Sequence, residues 1–288
     1  MYINDIGDNL NDSSQLKLFA DDGLAIRTIN NNTDHDILQH DLDSLVSWAE
    51  KWQMCFNPDK CFVLRVTRKR RVNRTPYIMM GKVLQDVDST KYLGVELTSK
   101  LTWNAHISSK ISKANSVLGF LRRNLTQCPQ SVKEQAYFTL VRPHVEYACT
   151  AWDPHQQYLK DQLEMVQRRA ARFVTKNYSR EPGTVTELLS NLGWPSLETR
   201  RKVMRLSLFY KALAGDAEIS MPKDLQGTTR NTRQHHSRRF TRPSTSTNQY
   251  ANSFFANTIR DWNSLPPDTL EAPSIETFKV SLWKHLQD

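Results

Sequence analysis

Leu16-Lys17-Leu18-Phe19-Ala20 and Leu24-Ala25-Ile26-Arg27-Thr28 alternate in the manner of two β-strands, and Asp21-Asp22-Gly23 lies between them. That order predicts a tight β-hairpin. Adjacent aspartates at a hairpin tip suit Mg2+, a hard cation often held by one or two carboxylates together with substrate phosphates. A two-metal phosphoryl-transfer centre holds its ions about 3.5–4 Å apart. Asp-Gly between alternating strands is equally the ordinary turn signal, with the second aspartate merely solvating the loop.

Working outward, Asp5, Asp8 and Asp12 read as a helix end and a polar turn. Beyond the hairpin, Asn30 to Asn32 break the strand, and Thr33 can cap a helix whose first turn holds Asp34 and Asp36. Leu38, Leu42, Leu45, Ala49 and Trp52 follow at helical spacing. Asn57-Pro58 forces an exit, and Cys61 to Val66 resumes a strand. The basic run Arg68 to Arg71 reads as a solvated turn before Tyr77-Ile78-Met79, and Tyr92 to Leu97 as one more short strand.

From about Leu101 the period becomes helical. Ile107, Ile111, Ala114, Leu118 and Leu121 form a stripe that ends near Arg122-Arg123. Pro129 opens the next helix, which Pro143 should kink or end. Leu159, Leu163, Val166, Ala170 and Phe173 make another stripe, and Leu197 to Ala214 a further helix. Residues 226–248 are polar and Ser/Thr-rich, with Arg230, Arg233, Arg238, Arg239 and Arg242 and no acid, so a long loop or disordered linker is expected. His235-His236 there lacks the cysteine partners of a zinc knuckle. Helices around Phe254 to Trp262 and Ile275 to Leu286 close the chain, separated by Pro266-Pro267.

The 288 residues are 39% hydrophobic, enough for a core, which excludes wholesale disorder. The net charge of +9 is permissive for nucleic acid or anionic surfaces. No apolar run approaches a membrane span, and the first fifteen residues carry acids where a signal peptide needs basic and apolar ones. Cys55, Cys61, Cys128 and Cys149 are widely spaced, which reads as reduced thiols of an intracellular protein without disulfide partners.

Tyr2-Ile3-Asn4-Asp5-Ile6, Leu18-Phe19-Ala20-Asp21-Asp22, Trp48 through Trp52, Phe56-Asn57-Pro58-Asp59-Lys60-Cys61 and Lys91-Tyr92-Leu93-Gly94-Val95 occur in one order at fitting distances. The series resembles the reverse transcriptase of non-LTR (LINE-type) retrotransposons, nearest to the jockey/CR1/L2-like group. Phe254-Phe255 and Thr258 to Pro266 resemble the tail of these elements. The resemblance implies an α+β chain: the distal part of a polymerase palm over residues 1–100, a helical thumb-like region over 101–225, the basic flexible linker 226–248 and a C-terminal helical tail 249–288. Asp21 would be a ligand of catalytic Mg2+ and Asp22 its neighbour. Lys60 would sit near the leaving pyrophosphate, as general acid or as a neutralising charge. Tyr92-Leu93-Gly94 would form the hairpin that supports the primer end. The implied partners are an RNA template, a DNA primer and deoxynucleoside triphosphates, in a nuclear or cytoplasmic ribonucleoprotein.

The family's metal site also needs an aspartate from a strand well upstream, and its glycine-rich segment precedes the hairpin too. Neither fits into the eighteen residues before Phe19. The expectation is therefore a truncated polymerase with little or no activity alone, Met1 being an internal methionine adopted as a start. The alternative is a non-catalytic, nucleic-acid-binding or domesticated remnant. Arg168, Arg169, Arg172 and Lys176 lie on one side of the 162–176 helix, opposite its apolar stripe, where a thumb would follow duplex phosphates; Arg200, Arg201, Lys202 and Arg205 offer a second cluster. A solvated helix face gives the same pattern. Trp103, Trp152, Trp194 and Trp262 could stack on bases or anchor the core.

Overall fold

The computed structural model describes residues 3, 5–222, 225, 227 and 237–287. Small sheets and longer helices make it mixed α and β, and the chain divides into two compact units, Met1–His106 and Ile107–Asp288.

In the first unit, β1 (Ser14–Phe19) pairs antiparallel with β2 (Asp22–Arg27). Helix α1 (Asn32–Lys51) follows, then a 3-10 turn, Pro58–Lys60, and β3 (Phe62–Leu64). Strands β4 (Ile78–Met79) and β5 (Lys82–Val83) form a second hairpin, and β6 (Gln85–Val87) lies parallel to β3. Strands β7 (Ser89–Tyr92) and β8 (Val95–Thr98) form a third hairpin.

Helix α1 begins earlier than Thr33. The Asn31 side chain accepts from the Asp34 N–H at 3.1 Å, and the Asp34 carboxylate accepts from the Asn31 N–H, so a reciprocal capping box fixes the start two residues upstream. Its apolar stripe joins two small cores. Leu45, Trp48 and Ala49 pack with Ile6, while Leu38, Leu42 and Val46 pack against Tyr77, Met79 and Leu84. Trp48, rather than Trp52, is the buried indole at the end of that stripe.

The second unit is helical: α2 (Asn104–Asn124), α3 (Gln130–Ala136), α4 (Arg142–Glu146), α5 (Cys149–Trp152), α6 (Gln157–Thr175), α7 (Thr184–Asn191), α8 (Leu197–Ala214), α9 (Asn248–Ala251), α10 (Phe254–Trp262), α11 (Pro267–Leu270) and α12 (Ile275–Gln287). Pro143 does not end the helical run. A π-helical segment, Tyr137–Val141, joins α3 to α4, and the Arg142 N–H bonds to the carbonyl of Tyr137, five residues back, so the chain turns helically through the proline.

The tail folds back on α8. Val203, Leu206 and Phe209 bury against Ile259, Trp262, Leu265, Phe278 and Leu282. Three side-chain bonds fasten residues 238–240 to the end of α10: the Trp262 indole donates to the Arg238 carbonyl at 2.8 Å, and the Asn263 amide both accepts from the Phe240 N–H at 3.1 Å and donates to its carbonyl at 2.7 Å. That end of the expected linker is thus docked, with Phe240 edge-on to Phe209. Arg230, Arg233, His235 and His236 lie outside the described residues.

Candidate active site and nucleic-acid face

The acidic hairpin closes two residues earlier than an Asp-Gly turn predicts. Phe19 pairs with Asp22 and Leu18 with Gly23, leaving Ala20 and Asp21 as the loop. Ala20 takes φ 52°, a conformation that costs a residue with a Cβ and favours no alanine. Asp21 therefore stands at the tip and Asp22 begins β2, both exposed. Leu18, Phe19 and Ile26 are exposed on the same hairpin, while Leu16 packs against the core of Ile6, Leu45, Trp48 and Ala49.

The open end of the hairpin is anchored by residues that sequence inspection passed over. Arg27, at the end of β2, bonds Asp34 at 3.0 Å, Asn11 at 3.1 Å and the Ser14 hydroxyl at 3.0 Å. Asp41, buried on α1, accepts from the Asn11 N–H at 2.8 Å and from the Ser14 hydroxyl. Backbone N–H groups of Asn30 and Asn31, together with Arg27, hold the Asp34 carboxyl below the ordinary aspartate range. Asp41 on the buried side of α1 and a strand-end arginine were the available signals; both look like solvated charge in one dimension.

Tyr92-Leu93-Gly94 is not part of one strand. Tyr92 pairs with Val95, and Leu93 and Gly94 form the two-residue loop with φ 46° and 77°. Positive φ at both central residues is the turn whose twist matches paired strands, and glycine supplies the second position without strain. The Tyr92 hydroxyl reaches the Lys17 carbonyl on β1 at 3.5 Å, a long hydrogen bond that joins this hairpin to the acidic one. Lys60 ends the 3-10 turn, exposed, while its neighbour Asp59 pairs with Lys82.

Two carboxylates at one tip are suitable oxygen donors, yet no group of three His, Cys, Asp or Glu able to hold a metal exists among the described residues.

In the second unit, α6 buries Leu159, Leu163, Val166, Ala170 and Phe173 and turns Arg168, Arg169 and Lys176 to solvent, with Arg172 partly covered. Arg169 donates to Asn115 of α2 at 3.1 Å. Arg200 and Arg201 are placed otherwise. Arg200 pairs with Glu146, and Arg201 is 1% exposed with its Nε 2.8 Å from Asp153. Arg205 joins them, bonded to Asp261 and 3.7 Å from Asp153. These guanidinium groups tie α8 to α4, to the segment after α5 and to α10 rather than facing outward. Trp152, Trp194 and Trp262 are core anchors; Trp194 stacks on Tyr137 at 4.6 Å and donates to Glu134 at 2.7 Å.

No helix among the described residues is long and apolar enough to cross a membrane, and the four cysteines are free thiols. No family model matches the chain, and no solved structure does so significantly. Curated relatives do. The chain is 26% identical over 168 residues to "Probable RNA-directed DNA polymerase from transposon X-element" of Drosophila melanogaster, covering 56% of this chain and 18% of that protein. It is 29% identical over 148 residues to "RNA-directed DNA polymerase from mobile element jockey" of Drosophila funebris, covering 49% of this chain and 16% of that protein. Against the Drosophila melanogaster jockey polymerase the identity is 36% over 73 residues, 25% of this chain and 8% of that protein. The chain thus spans less than a fifth of the relatives it matches, and across about half its own length it is similar to the RNA-directed DNA polymerases of these non-LTR mobile elements.

Proposed function

We propose that this chain is the distal palm and thumb of a reverse transcriptase, with residues 1–100 as palm and 101–225 as thumb. The observation that carries the reading is the meeting of the two hairpins which the polymerase resemblance singles out. Each closes through a two-residue loop, and Tyr92 bonds back to β1 at Lys17, two strand pairs from Asp22. Asp21 and Asp22 supply part of the ligand set for divalent metal, which when bound would activate the attacking primer hydroxyl. A further carboxylate must join them, so the chain alone is expected to be inactive. The rigid β7–β8 turn supports the primer end, Gly94 permitting close approach of backbone. Lys60 neutralises charge on the departing pyrophosphate.

Arg168, Arg169, Arg172 and Lys176 follow phosphates of an RNA–DNA duplex, giving affinity without sequence preference. Deoxynucleoside triphosphates are the substrates of the assembled enzyme, and the setting is an intracellular ribonucleoprotein. Primer extension on an RNA template with Mg2+ tests the catalytic part. The chain alone should not extend. Joined to the upstream part of a jockey-type polymerase it should, and Asp21→Ala should abolish extension there; a joined protein that extends despite Asp21→Ala overturns the assignment.

A further inference from the structure

Helix α2 carries Lys110, Lys113, Arg122 and Arg123 and no carboxylate, and the chain holds no acid between Glu96 and Glu134. Ile107, Ala114, Leu118 and Leu121 bury one side of the helix, while Lys113, Phe120 and Arg123 are exposed on the other. A solvated helix ordinarily mixes both signs of charge, so the one-sided composition asks for an anionic neighbour.

Two aromatic rings stand at its flanks. Tyr147, just after α4, is 54% exposed, with Lys110 Nζ 5.6 Å from its ring centre. Tyr178, just after α6, is 50% exposed, with the Arg122 guanidinium 5.5 Å from its ring centre. The Tyr147 carbonyl accepts from the Trp152 indole at 2.8 Å, and Arg169 ties α6, the helix that precedes Tyr178, to α2 through Asn115. Glu146, the acid beside Tyr147, is turned toward Arg200 and Arg142. Lys110 and Arg122 are twelve positions apart on one helix, about 18 Å along its axis at 1.5 Å per residue and about 120° apart around it, so a strand joining the two rings winds across the exposed face that carries Lys113 and Arg123.

We infer that α2 is a track for single-stranded nucleic acid, with unpaired bases stacking on Tyr147 and Tyr178 and Lys113 and Arg123 neutralising the phosphates between them. A duplex hides its base faces, so exposed rings gain little from it. An unpaired strand offers every face, and aromatic rings alternating with cations bind it without reading sequence. This rests on the nucleic-acid reading above but names a different ligand and a different surface from the α6 arginines.

Fluorescence anisotropy on the full chain separates them, using labelled twelve-nucleotide oligo(dT) and oligo(U) and a blunt twelve-base-pair RNA–DNA hybrid. Tyr147→Ala with Tyr178→Ala should weaken both single strands about 30-fold and change hybrid affinity less than about twofold. Replacing both tyrosines with tryptophan should restore binding, and unchanged thermal melting reports an intact fold. Equal loss on hybrid and single strands, or no loss on either, overturns the track. Wild-type chain that grips hybrid but ignores single strands also overturns it while leaving the α6 reading in place; a chain that binds neither sinks both.

Discussion

The α6 face makes a quantitative prediction about salt. Each phosphate neutralised by a cation makes log K fall by about 0.9 per decade of salt. Arg168 and Arg172 stand one turn apart on the side of α6 away from its buried stripe. Replacing both with glutamine removes two contacts and should flatten the slope for an RNA–DNA hybrid by about 1.8. Between 50 and 200 mM salt, about 0.6 of a decade, the wild-type chain should lose about 12-fold more affinity than the variant. Filter binding or anisotropy across that range gives the slope directly. Arg200→Gln is the comparison: its guanidinium is engaged by Glu146, so it should lower the melting temperature and leave the slope unchanged. A double variant with wild-type slope, or an Arg200 variant that flattens it, would refute the assignment of these charges.

Asp261→Ala strips the buried Arg205 guanidinium of its closest carboxylate and should cost about 3 kcal/mol, about 6–12 °C in melting temperature, whereas Arg260→Ala, an exposed partner of the same carboxylate, should cost under about 1 kcal/mol. Burial pushes the Cys149 thiol up to about 12, so iodoacetamide should label exposed Cys55 in the native chain and Cys149 only after denaturation. Burial also raises Glu164, though the Leu197 N–H and Gln167 amide bond to it. A raised carboxyl binds its proton more tightly in the folded state, so its contribution to stability is present below the ordinary glutamate value and is lost as pH rises through the folded one. Thermal melts at intervals from about pH 4 to pH 7 should show the wild-type chain losing stability relative to Glu164→Gln; parallel curves would contradict this.

Long helices were the most legible part of the chain. The stripes of α2 and α6, the span of α8 and the tail helices α10 and α12 all follow from apolar spacing, because burial of one face decides a helix of several turns. The hairpins were less so. Asp22-Gly23 has the chemistry of a turn, but strand pairing placed the loop at Ala20, whose positive φ no propensity predicts. Leu93 likewise takes a conformation usually left to Asn, Asp or Gly, which made one strand of what are two. Arg200 and Arg201 looked like a surface cluster because their partners, Glu146 and Asp153, lie 54 and 48 residues away. Local sequence carries no sign of such distant pairings.

The π-helical segment explains a repeat that an α-helix cannot use. Lys133, Tyr137, Val141 and Val145 are all buried, four residues apart each time. At about 100° per residue, a four-residue step overshoots a full turn by about 40°, so three steps would swing Val145 about 120° away from Lys133. Loosening the winding over Tyr137–Val141 takes up much of that drift, keeping the four residues in phase on one side. The segment works as a phase corrector: removing one residue from it would restore ordinary winding and rotate everything beyond it, Tyr147 included, around the helix axis.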